Sequence, residues 1–151
     1  MMRVVYHDSK GPRRQPGFRG IAEAWWVRPD CDRPADERHG VFPISEPLYQ
    51  ALVHLGLLDR LGWLPHDGIL GEYEEGELLP ASLWAAADLI REAADVLPSG
   101  RLEWVCSHQI APEVVEFRLA VDAEVVRGQL RELAAFVEGA RRRTFAVQLW
   151  L

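Results

Sequence analysis

The C-terminal third of the chain, residues 101–151, constrains the fold most, because its pattern describes a complete strand–strand–helix–strand unit. Apolar and polar residues alternate over 101–108 and again over 114–121, which predicts two strands. A short connection containing Pro112 separates them. Such a connection most simply joins antiparallel neighbours, so we predict a hairpin.

A helix is predicted over 123–141, with Asp122 as the N-cap whose carboxylate accepts a hydrogen bond from the first turn. Its apolar residues recur at helical spacing and include Val126, Leu130, Leu133, Val137 and Ala140. Strict alternation over 144–151 then predicts a final strand, which we expect to join the same sheet as the hairpin.

The first two thirds of the chain add one strand and two helices. Alternation predicts a strand over 20–28, and apolar stripes predict helices over 46–61 and 82–97. Charged residues and prolines predict a long exposed loop over 30–43. Glycines and prolines between residues 62 and 80 predict a connection without regular structure.

Together these elements predict an α+β fold: a single, mainly antiparallel sheet of about four strands, with three helices packed mostly on one face. The length of 151 residues suits one domain over 1–151, with 1–19 as a flexible basic arm in which residues 3–7 allow a short strand. The alternation within 20–28 assigns Trp25 to the core.

Composition predicts a cytoplasmic protein with reduced cysteines. The sequence contains no run of about 18 apolar residues, so no membrane span is expected. Residues 1–10 lack the apolar stretch of a secretory signal. Cys31 and Cys106 are far apart and form no CxxC motif, so both are expected to be free thiols.

The middle of the chain is strongly acidic. Residues 44–100 hold ten acidic and two basic side chains, a net charge of −8, whereas the whole chain has a formal net charge of −6. Such a block repels nucleic acid and attracts a basic protein partner. The predicted partner-binding residues are the densest acidic run and its tyrosine: Glu72, Tyr73, Glu74, Glu75 and Glu77.

An enzymatic alternative starts from Cys106 and His108, which strict alternation places on one strand face. A thiolate beside a base can act as a nucleophile, and the same pair can ligate a metal. Adding Cys31 and His39 gives four zinc ligands, although their spacing matches no zinc motif. Buried cysteine beside apolar residues is usually a packing residue, so this pair is the weaker interpretation.

The second enzymatic alternative is His66 with Asp67, near His54 of the preceding helix, as in metal-dependent hydrolases. Asp67-Gly68 is also a turn signal, and two residues alone do not define a site. Common cofactor and nucleophile motifs are missing from the sequence, so no cofactor and no metal are expected.

The chain resembles the small cytoplasmic immunity proteins of bacterial polymorphic toxin systems. The resemblance covers the size, the acidic middle, the lack of a catalytic motif and the C-terminal helix and strand that end in residues 145–151. It implies a non-catalytic protein that binds a basic toxin and occludes it. It places the contact at the acidic run that begins at Glu72 and ends at Glu77.

Overall fold

The computed structural model describes residues 1–7, 13, 21–29, 32–71 and 74–151. These residues form eight strands, four α-helices and one short 3-10 helix. In chain order the elements are β1 (Arg3–Tyr6), β2 (Glu23–Val27), β3 (His39–Pro43), α1 (Glu46–His54), α2 (Leu57–Leu61), β4 (His66–Gly68), β5 (Glu75–Leu78), the 3-10 helix (Pro80–Ser82), α3 (Leu83–Val96), β6 (Arg101–Gln109), β7 (Val115–Asp122), α4 (Ala123–Arg142) and β8 (Ala146–Trp150).

The strands form two sheets. The larger sheet has five antiparallel strands in the order β3-β2-β8-β5-β4. The smaller has three strands in the order β1-β7-β6, where β6 and β7 form the predicted hairpin and β1 runs parallel to β7. The C-terminal strand β8 therefore lies in the middle of the larger sheet.

The prediction of a single four-stranded sheet with three helices is wrong. The individual strands at the C-terminus are correct, but β8 pairs with β2 and β5 instead of joining the β6–β7 hairpin. Three further strands, β3, β4 and β5, lie in segments that we predicted to be loops. Their strand conformation depends on pairing: β3 pairs with β2, β4 with β5, and β5 also with the distant β8. Local patterns do not reveal such pairing.

The helix predicted over 46–61 is two helices, because the chain turns at Gly56. This glycine has φ 68°, a left-handed conformation that other residues adopt only at a cost. Helix α1 begins as predicted: the Ser45 hydroxyl accepts a hydrogen bond from the Leu48 amide at 3.2 Å, and Pro47 lies in the first turn. The break at Gly56 gives the fourth α-helix.

One cluster of buried apolar side chains contains residues from both sheets and from all four α-helices. The predicted apolar stripe of α4 is confirmed, and Leu133 is only 2% exposed. Asp122 caps this helix by accepting a hydrogen bond from the Glu124 amide at 2.8 Å. Among the described residues, no helix has the length and apolar character needed to cross a membrane.

The predicted basic arm over 1–19 lies largely outside the described residues. Its start forms strand β1, which agrees with the short strand allowed there. Within the arm, Arg13 is described and buried, with its guanidinium 3.7 Å from the centre of the Tyr49 ring. The Arg13 side chain also pairs with Glu46 at 3.3 Å. These contacts join the part of the arm at Arg13 to helix α1.

Candidate functional site

A pocket of about 530 Å³ lies on the face of the five-stranded sheet that carries Trp25. Directly opposed residues of antiparallel strands share a face, and the register places Trp25, Gln148, Glu77 and Asp67 in one row across β2, β8, β5 and β4. The pocket therefore has an aromatic side chain at one end of this row and carboxylates at the other.

The basic residues that the structure describes neutralise only part of the carboxylate charge of this pocket. Glu77 is buried and forms an ion pair with Arg33. Glu75 accepts a hydrogen bond from the Gln148 amide nitrogen at 2.6 Å. Among the described residues, neither Glu75 nor Asp67 has a basic partner. Two carboxylates thus border the pocket without a counter-charge from the described part of the chain.

Two arginines from the segment between β2 and β3 lie on this sheet face: Arg33 lines the pocket, and Arg38 packs on the ring of the pocket residue Trp25. Arg33 donates a hydrogen bond to the Arg28 carbonyl at 2.7 Å while it pairs with Glu77. Arg38 lies with its guanidinium carbon 4.1 Å from the centre of the Trp25 ring, and it pairs with Glu23 at 2.5 Å. This face of the sheet thus already binds guanidinium groups through carboxylates and an aromatic ring.

The residues predicted to bind a partner are placed as follows. Glu72 and Tyr73 lie outside the described residues. Glu74 is exposed, and its carbonyl accepts a hydrogen bond from the Leu151 amide at 3.2 Å. Glu75 and Glu77 line the pocket from strand β5. The acidic run is therefore partly a structural element, since β5 pairs with β8 and β4, contrary to the expectation of an irregular connection.

Apart from Glu75 and Glu77, the residues that line the pocket were not predicted as site residues together with the acidic run; they include Trp25, Arg33, Asp67 and Gln148. Alternation in the last strand assigned Gln148 to the more polar face of the sheet, so the sequence could have indicated Gln148 as a candidate site residue. Trp25 is buried, but in a small second cluster with Val27 and Ala146 on the pocket face, not in the main core. The sequence around Arg33 did not indicate a site residue, because the place of Arg33 in the pocket depends on its ion pair with Glu77 in the distant strand β5.

Cys106 and His108 do not share a strand face, contrary to the prediction. The pairing of β6 with β7 shifts between Val105 and Ser107, so Cys106 is the extra residue of a β-bulge. After the bulge, His108 lies opposite Glu116 and its Nε2 is 3.2 Å from the Glu116 carboxylate. The half-buried Cys106 packs against the core, so the two side chains point to opposite faces.

Burial raises the pKa of the Cys106 thiol to about 11, and the negative charge of Glu46 adds to this effect. We predict that in a Cys31→Ser variant the rate of iodoacetamide alkylation at Cys106 rises with pH up to pH ~9 without a plateau, because the thiolate is the reactive form. The rate is measured by mass spectrometry on the folded protein. A plateau near pH 8 would show an activated thiol and contradict the prediction.

His66 and Asp67 are neighbours in strand β4, so their side chains lie on opposite faces of the sheet. The His66 ring donates from Nδ1 to the Leu64 carbonyl at 2.8 Å. His54 lies elsewhere, stacked on Trp104 with the ring centres 5.5 Å apart. The structure does not bring this predicted set together.

The zinc set that combined Cys106 and His108 with Cys31 and His39 is not assembled by the described residues. Cys31 lies outside them, while His39 stacks on Phe145 with the ring centres 5.0 Å apart. Cys106 is a free cysteine. In the described part of the chain, no three His, Cys, Asp or Glu side chains are grouped to hold a metal ion.

A second polar surface covers the three-stranded sheet, but its charges are paired with one another. Arg118 binds both Glu103, at 3.0 Å, and Glu116, and the Tyr6 hydroxyl donates to Glu103 at 2.9 Å. Hydrogen bonds from Arg118 lower the pKa of both glutamates below the ordinary value. Their contribution to stability is therefore present above the unfolded-state pKa and lost as the pH falls through the lowered folded-state pKa.

No family model, no curated protein and no solved structure matches the chain.

Proposed function

We propose that this protein binds a basic protein partner through the acidic pocket of the five-stranded sheet. One observation carries the proposal: Asp67 and Glu75 border the pocket, and no described basic residue neutralises either of them. A positively charged side chain of a partner supplies the missing counter-charge. The function that follows is occlusion of a basic toxin, as in an immunity protein.

The electrostatic balance of the pocket favours such a partner. Asp67 lies directly opposite Glu77 on the same sheet face, and like charges at opposed positions destabilise a sheet. Arg33 neutralises Glu77, so within the described part of the chain Asp67 and Glu75 remain as the excess negative charge. A cation bound at these two carboxylates relieves the repulsion between them and Glu77. The carboxylates that destabilise the free protein therefore make binding of a cation more favourable.

The partner's basic group is best matched by a guanidinium. Carboxylates can bind a guanidinium through paired hydrogen bonds. The chain's own Arg33 and Arg38 form ion pairs with Glu77 and Glu23 on this sheet face. The acidic middle of the chain also speeds the encounter, because long-range attraction raises the association rate at low salt.

We expect the double substitution Asp67→Asn with Glu75→Gln to weaken binding of a synthetic hexa-arginine peptide by about fivefold or more. It should also flatten the dependence of affinity on salt, because two of the attracting charges are gone. Folding stability should be unchanged or slightly raised, since neither carboxylate has a described ion-pair partner. Affinity is measured by isothermal titration calorimetry at two salt concentrations.

A matched control changes two exposed carboxylates elsewhere, Asp88→Asn on α3 with Glu132→Gln on α4. It removes the same net charge, so it reports the long-range effect alone. Equal affinity in the two variants would show that the pocket carboxylates have no specific role. For the toxin function, loss of protection against a cognate toxin in the pocket variant, with protection kept in the control, is the expected result.

A further inference from the structure

Strand β4 forms one edge of the five-stranded sheet, and among the described residues no strand pairs with its outer side. Its hydrogen bonds to β5 show which backbone groups face that side. The Ile69 amide donates to the Glu75 carbonyl at 3.2 Å, and the Leu79 amide donates to the Pro65 carbonyl at 3.5 Å. In an antiparallel pair such bonding positions alternate, so the two end residues of β4 direct their N–H and C=O groups outward.

The two faces of β4 border two different surfaces. Asp67, the middle residue, lies on the face of the acidic pocket. On the other face, His66 borders a groove of about 500 Å³ whose apolar lining comes from α2, the connection after it and the residues following β4. Trp63 and Ile69 in this groove are 82% and 59% exposed, which is unusual for large apolar side chains.

We propose that β4 accepts an extended segment of the basic partner as a sixth strand of the sheet. Side chains of a strand alternate between its faces, so basic residues of this segment enter the acidic pocket beside Asp67 and apolar residues enter the groove beside Trp63. The inference rests on the proposed function, and it names the partner's recognition element: an extended segment in which basic and apolar residues alternate.

The charge distribution selects this occupant. An apolar strand would leave Asp67 and Glu75 without a counter-charge, and a wholly basic strand would place charge against Trp63 and Ile69. Of the three other edge strands in the described part of the chain, two suit an added strand less well. Strand β6 carries the bulge at Cys106, which interrupts a regular ladder, and β3 ends in Pro43, which has no backbone N–H to donate.

The first test compares hexapeptides of one composition: alternating Arg-Val, and a block of arginines followed by a block of valines. The alternating peptide is expected to bind about tenfold more tightly, because only it can satisfy both faces while paired with β4. Equal affinity of the two peptides would overturn strand addition, while salt-sensitive binding of both would leave the acidic pocket standing. Failure of both peptides to bind would overturn the proposed function as well.

Backbone methylation gives a second test that does not alter the protein. If the peptide adds antiparallel to β4, the peptide residues opposite the two end residues of β4 exchange backbone hydrogen bonds with those end residues. The same peptide residues direct their side chains to the groove face, so they are the valines. The valine amides therefore face β4, and the arginine amides face solvent. N-methylation of the valines should abolish binding of the alternating peptide, and N-methylation of the arginines should leave it nearly unchanged. Full binding by both methylated peptides would contradict the inference.

A third test addresses the groove. The substitutions Trp63→Ala and Ile69→Ala should weaken the alternating peptide by about fivefold and leave hexa-arginine binding unchanged. Both side chains are exposed, so the fold should be retained, as circular dichroism can verify. The control pair is Trp84→Ala with Val96→Ala, exposed apolar residues of α3. If the two pairs affect the alternating peptide equally, the groove does not bind it.

Discussion

Replacing Leu133 with alanine is expected to lower the free energy of unfolding by about 2–4 kcal/mol, because the shorter side chain leaves a cavity in the main core. Leu133 is 2% exposed and belongs to the cluster that joins both sheets and all four α-helices. The change is measured by urea denaturation followed by tryptophan fluorescence. The control is Val125→Ala on the same helix, 48% exposed and expected to cost less than about 0.5 kcal/mol.

Unfolding of the Leu133→Ala protein at the same urea concentration as the parent would show that this face of α4 is not part of a close-packed core. The comparison with Val125→Ala controls for the general effect of placing alanine in this helix, because Val125 lies exposed in the first turn of the same helix. A difference between the two variants therefore measures the packing contribution of Leu133.

Regular periodicity made α4 and the C-terminal strands predictable. The apolar stripe of α4 continues without a break from Val126 to Ala140, with a capping aspartate before the helix, and the structure confirms both features. The hairpin of β6 and β7 was equally clear from alternation on either side of Pro112. Where a segment buries one face along its whole length, the local pattern reports the element without knowledge of its neighbours.

Sheet membership was not predictable, because it depends on which strands meet across long stretches of sequence. Strand β8 was assigned to the hairpin that precedes it, yet it lies between β2 and β5. Strands β4 and β5 are short and contain Gly68 and Gly76, residues that predict turns in isolation. Pairing with β8 is what holds β5 extended, and β5 in turn holds β4.

For the candidate site too, local sequence patterns predicted the composition but not the three-dimensional arrangement. The acidic run was visible as composition, but its geometry was not, because Asp67 joins Glu75 and Glu77 through the β4–β5 pairing. Alternation also misplaced His108 relative to Cys106, since a single bulge residue moves all later side chains to the opposite face. Contacts such as the ion pair of Arg33 with Glu77 depend on the tertiary fold alone.

Gly68→Ala is expected to destabilise the β4–β5 hairpin by about 2–4 kcal/mol, which combines the cost of a left-handed conformation with that of overpacking. Gly68 has φ 71°, and an added Cβ would collide with the backbone carbonyl oxygen of Glu75. Neither the backbone oxygen nor the strand pairing around it can move away cheaply, because Ile69 donates its amide hydrogen to that oxygen.

The matched control is Gly128→Ala in α4, where an added Cβ meets no atom within 4 Å and the helix should gain about 0.5–1 kcal/mol. Urea denaturation gives the stability of both variants, and amide hydrogen exchange locates the loss in Gly68→Ala to β4 and β5. Since Asp67 and the free edge both belong to β4, the same variant should lose affinity for the alternating peptide, whereas Gly128→Ala should keep it. A loss of stability and affinity in Gly68→Ala, without such a loss in Gly128→Ala, would show that the conformation of the hairpin supports the binding edge, since both variants add the same methyl group. Equal stability of the two variants would show that the turn at Gly68 does not require a left-handed residue.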